Sequence, residues 1–140
     1  METSDLLRHQ LIASLTTQHT DVGADGAIRL WDLMATQIIS IVGEGGFNAL
    51  YARSVLLTQS SHPWLAADAP SPATGSRFAE LKISLQGQAP AQADAANMQL
   101  MITFTDILAS LIGEPLTARI LRTAWGHEAQ DRTGKEIIHE

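Results

Sequence analysis

Residues 27–42, AIRLWDLMATQIISIV, are apolar on almost every face of a helix. Ile28, Trp31, Ala35, Ile38 and Val42 recur at helical steps on one side, with Leu30, Met34 and Ile41 beside them. A helix that is apolar all round has to be covered on every side, so it belongs at the centre of a bundle or in an interface between subunits. The rest of the chain must therefore supply elements able to wrap a helix.

The other periodic segments answer that demand. Residues 5–19 space Leu6, Leu7, Leu11 and Leu15 for a first helix, with Ser4 or Asp5 as its N-cap. Residues 47–60 carry Phe47, Leu50, Tyr51 and Val55. That helix ends before His62-Pro63, because the residue preceding a proline is pushed out of helical geometry. Residues 93–112 form the longest helical stretch, and residues 114–125 an amphipathic one with Pro115 in its first turn. Residues 66–76, AADAPSPATGS, read as an exposed connection, and GQAPAQADA after residue 86 as a second.

Residues 77–86 are ambiguous. Phe78, Leu81 and Leu85 suit a helix, whereas Leu81, Ile83 and Leu85 alternate like a strand. A short helix is expected, since no second strand exists to pair with it.

Three glycines crowd residues 43–46, yet they do not form a phosphate-binding loop. A dinucleotide fingerprint needs a third glycine where Asn48 stands, and a preceding strand; a P-loop needs a Gly-Lys-Ser/Thr ending. Instead, Ser40-Ile41-Val42-Gly43-Glu44 is echoed 70 residues later by Ser110-Leu111-Ile112-Gly113-Glu114. Glycine ends a helix cheaply because it accepts left-handed geometry, and a glutamate in the next first turn complements the helix dipole. Both places read as the corner of an αα-hairpin, either by convergence or by duplication.

The expected fold is thus all-α: a bundle of five or six helices on two αα-hairpins, residues 27–60 and 93–125. Residues 1–126 form a single helical domain and residues 127–140 a polar tail. Two such apolar helices exceed what one small core easily hides, which predicts a homodimer with Trp31, Met34, Ile38, Met101 and Phe104 at its interface.

The totals exclude more than they assign. The chain of 140 residues has no cysteine, which removes disulfides, thiolate nucleophiles and cysteine-based metal sites. Nine basic against fifteen acidic residues, a net charge of −6 without a basic cluster, argue against nucleic acid as a partner. The N-terminus carries Glu2 and Asp5 where a signal peptide is basic, and the most membrane-like window, residues 95–113, contains Asn97, Gln99, Thr103, Thr105, Asp106 and Ser110. A cytoplasmic location and no membrane partner are expected.

Few residues remain to carry chemistry. Residues 21–32 place acids at positions one, five and twelve and a glycine at six, as a calcium loop does, but Gly23 offers no ligand and Asp32 is short. The competing reading is a turn in which Asp25 caps the next helix. None of the five histidines forms a zinc-binding pair at helical spacing. His127, Glu128 and Asp131 belong to the polar tail, and His9 alone is placed as a phosphotransfer histidine would be. Asp106 lies in an otherwise apolar helix with Thr103 and Ser110 on its face. A carboxylate there needs a cation, and Arg53, Arg119 or Arg122 is the expected partner in a ligand site or a packing pair. Trp64 is expected to plug a groove. No cofactor or metal is implied.

The expected function is a non-catalytic protein-interaction or regulatory module, such as a small signalling adaptor, whose partners are a second copy and another protein. The alternative is a small-molecule or ion-binding sensor using Asp106 or the loop of residues 21–32.

Overall fold

A computed structural model describes the backbone of residues 2–18, 23–65 and 78–138, and the side chains of residues 6–14, 26–65 and 78–126. The expected connection at residues 66–76 lies outside the described residues. Five helices follow one another: α1 (Glu2–Gln18), α2 (Gly23–Thr58), α3 (Ala79–Gln86), α4 (Pro90–Ile112) and α5 (Glu114–Ile138). No strand occurs among the described residues, so the fold is all-α.

The ambiguous segment is α3. Leu81 and Leu85 are buried while Ile83 between them is exposed, the opposite of what an alternating strand would do. α4 starts three residues before the expected 93, within the supposed second loop. Pro90 occupies its first turn, where a missing N–H costs nothing, behind an extended Ala89. The polar stretch after residue 126 continues α5 as far as Ile138.

α2 is one 36-residue element interrupted at a single residue, Gly43, with φ 84° and ψ 167°. Gly113, between α4 and α5, has φ 98° and ψ 150°. Both values lie where a Cβ meets steric strain, so only glycine enters them cheaply. The likeness extends to side chains: Ser40 Oγ donates to the carbonyl of Gln37 and Ser110 Oγ to that of Ile107, each at 2.6 Å. Burial repeats with the same offset. Leu30, Trp31, Met34, Ile38, Leu50, Tyr51 and Val55 are buried, as are Leu100, Met101, Phe104, Leu108, Ile120, Leu121 and Trp125. The two halves of the chain are built alike.

The halves also clasp one another. α2 and α4 pack together at the centre with α5 against both, while α1 leans on α4 and α5, and α3 on α2 and α4. The core is aromatic where α2, α3 and α4 meet. Trp31 has Tyr51, Phe78 and Phe104 with ring centroids at 5.4–5.5 Å. Its indole N–H donates to Asn97 Oδ1 at 2.8 Å, and that of Trp125 to the Leu30 carbonyl at 2.9 Å, so neither buried donor is left unmet.

Two expectations are corrected here. Trp31, Met34, Ile38, Met101 and Phe104, assigned to a subunit interface, are wholly buried within the single chain. α2 and α4 cover each other, and Phe47 and Phe78 complete the shell, so one subunit does hide this surface. Residues 23–32, the greater part of the proposed calcium loop, are helical. A helix distributes its oxygens around an axis and cannot wrap them about one ion, and Asp25 falls within the first turn of α2, not at its cap.

α4 alone, among the described residues, is long and apolar enough to cross a membrane. In this fold it is a central helix whose Asn97 and Thr105 engage other helices. Trp64 is half-buried against the core, its ring edge-on to His62 at 5.8 Å.

Candidate functional site

The most concentrated polar chemistry lies where α1 crosses the α4–α5 junction. Position 8 of α1 faces inward, and it holds an arginine whose side chain is only 2% exposed. Buried charge demands partners, and Arg8 finds them on two other helices. Its Nε donates to Glu114 Oε2 at 2.8 Å and its Nη2 to Oε1 at 3.1 Å, a two-point grip of the kind a planar guanidinium makes best. Nη1 donates to Thr105 Oγ1 at 2.8 Å and to Asp106 Oδ1 at 2.7 Å. Thr105 passes its own proton to the Ile102 carbonyl.

Local structure explains the placement. Gly113 stops α4 and lets α5 start at once, which puts Glu114 in the first turn of α5 beside the last turns of α4. Asp106 is one residue past Thr105, turned toward solvent and 48% exposed. His9 Nε2 lies 2.8 Å from the same Asp106 Oδ1. Burial works against the charge on Arg8, but hydrogen bonds and attraction from Glu114 and Asp106 outweigh it and hold the guanidinium above even the ordinary arginine range.

Two clefts flank Arg8. One, of about 270 Å³, is polar and lined by Arg8, His9, Asp106, Ala109, Ser110 and Glu114. The other, of about 280 Å³, is apolar: Leu7, Leu11, Pro115, Ala118 and Leu121 form its surface, with Arg122 among its few charged members. In the polar cleft each group is already committed. Ser110 donates into its own helix, His9 meets Asp106, and Arg8 is held by two carboxylates and a hydroxyl. Among the described residues no group of three His, Asp or Glu side chains is placed to hold a metal.

Asp106 therefore does sit in a charged cluster, but its arginine is Arg8 and not Arg53, Arg119 or Arg122. Those three are exposed, and of them only Arg122 lines a cleft. Thr105, not Thr103, shares the arginine. His9 is engaged by Asp106, while the side chains of His127, Glu128 and Asp131 lie outside the described residues. Arg8 was the residue missed. Its signal was present, a lone cation one turn before Ile12 on the inward face of an amphipathic helix.

Fold and site together define an all-helical bundle with an ion-paired clasp across its two halves. Compared with known proteins, the chain matches no family model, no curated protein and no solved structure.

Proposed function

We propose that this chain is a non-catalytic protein-interaction or regulatory module, a small signalling adaptor of the cytoplasm that rests on two αα-hairpins turning at Gly43 and Gly113. One observation carries the reading: an apolar groove stands open between α1 and α5, next to Leu7, which is 61% exposed. Leu6 and Leu116 near its ends are exposed as well. Clustered surface leucines mark an interaction site more often than an accident of composition. The neighbouring charges bind one another, as suits a clasp that holds α1 in position. A second copy of the chain and another protein are both candidate partners.

The test uses position 7 as a reporter. With Leu7 replaced by a photo-crosslinking residue, irradiation of cells making the protein is expected to trap one discrete adduct. A clean chain after irradiation overturns the reading, and light scattering across a dilution series tells a homodimer from a complex with another protein.

A second reading, a small-molecule or ion sensor, is favoured by the polar cleft beside Asp106. It requires a ligand that raises the melting temperature of the wild type and not of Asp106→Asn.

A further inference from the structure

The likeness of the two halves gives the open groove a counterpart inside the same molecule. Its wall on α5 is made by Pro115, Ala118 and Leu121, and 70 residues earlier these positions are Gly45, Asn48 and Tyr51 on α2. There the surface is not open. Phe78, at the start of α3, is 1% exposed and lies over it, with its ring 5.5 Å from Tyr51 and 6.0 Å from Phe47. The covering is close enough to bury Asn48 Oδ1 completely. In the other half the helix that leans on this face is α1, and its cation, Arg8, turns to Asp106 and Glu114. No ring comes from α1 to lie over Leu121, because α1 offers Leu7 and Leu11 at the groove.

We infer that the groove between α1 and α5 receives an aromatic side chain of a partner protein, set next to a carboxylate that meets Arg122. The assignment rests on the interaction reading above and names the partner's chemistry. The size is adequate: an apolar cavity of about 150 Å³ already holds a benzene ring, and this groove measures about 280 Å³. Aromatic anchors supply much of the energy at interface centres because they bury large area with few rotors. Arg122 is exposed and lines the groove, so an acidic neighbour of the ring finds a cation there, whereas Arg8 is already held by Glu114.

The probes are three labelled peptides, Asp-Glu-Phe-Asp-Glu and its Leu- and Ala-centred counterparts, titrated against the full chain by NMR and fluorescence anisotropy. The Phe-centred peptide is expected to shift the amides of Leu7, Ala118 and Leu121 and to bind at least about tenfold more tightly than the Ala-centred one. Ala118→Trp, which fills the groove, is expected to abolish that binding. Leu7→Glu, at an exposed site, does the same without touching the core. Arg122→Gln weakens binding several-fold, and salt reproduces the loss.

Equal binding of the Leu- and Phe-centred peptides overturns the aromatic assignment and leaves the interaction reading standing. No binding by any peptide overturns the assignment also, and the crosslink at position 7 then decides the wider reading separately. A free aromatic acid, phenylpropionate, shifting these amides when the peptide does not overturns the partner protein in favour of a small ligand.

Discussion

Gly43 and Gly113 hold the same backbone conformation, φ 84° and 98°, at positions 70 residues apart. They are the only described residues with positive φ, and each lies three residues beyond a serine bonded to the carbonyl three residues back. This shared interruption keeps the two halves alike and delivers Glu114 to Arg8.

The conformation makes the first prediction. Gly43→Ala and Gly113→Ala should each cost about 1–2 kcal/mol, the penalty of left-handed geometry for a residue with Cβ. Gly45→Ala should instead gain about 0.5–1 kcal/mol, because Gly45 is helical and a Cβ there meets nothing within 4 Å. Urea denaturation of the three variants measures both signs. Equal losses at positions 43 and 45 would remove the conformational explanation.

The Arg8 clasp should be non-additive. Asp106→Ala and Glu114→Ala alone each leave the guanidinium one carboxylate, and Asp106 is half exposed, so about 1–2 kcal/mol each is expected. The double variant strands a buried cation and should cost about 3–5 kcal/mol, more than the sum. A double-mutant cycle by thermal denaturation gives the coupling energy, and a value near zero would mean that the three groups act independently.

The bond between Trp31 and Asn97 ties α2 to α4 at the centre of the core. Asn97→Ala leaves the indole N–H buried without an acceptor, which should cost about 1–3 kcal/mol beyond the lost packing. Asn97→Asp keeps an acceptor in place and distinguishes the two contributions. Comparison of the melting temperatures checks this.

Burial pushes the phenol of Tyr51 above its ordinary value. The folded state therefore keeps the proton that the unfolded chain releases near pH 10. This contribution is fully present below that pH and is lost as pH rises toward the elevated folded value. Since Tyr51 is the chain's one tyrosine, an absorbance titration should show no tyrosinate near pH 10 while helical circular dichroism persists. Ionisation near pH 10 in the folded protein would show the ring to be solvated.

Much of the architecture was legible because helical signals are local. The period in residues 27–42, the proline after His62 and the glycine after Ile112 each act within a turn or two of chain, and the helices lie where these features place them. Even the choice of helix for residues 77–86 followed from the lack of a partner strand. The repeat was readable too, since Gly43 and Gly113 share a context five residues long.

What the sequence alone determined, then, was the set of helices and the two glycine interruptions between them. Which residues meet was decided by tertiary packing: Arg8 reaches Asp106 across 98 positions, and Trp31 reaches Asn97 across 66. Periodicity shows that a face is apolar but not which other face covers it. That is why Trp31 and Phe104 could be read as an interface until α2 and α4 were seen to close on each other. The same holds for Asp106: its need for a cation follows from its apolar helix, but the choice of Arg8 over Arg119 depends on how α1 crosses the bundle.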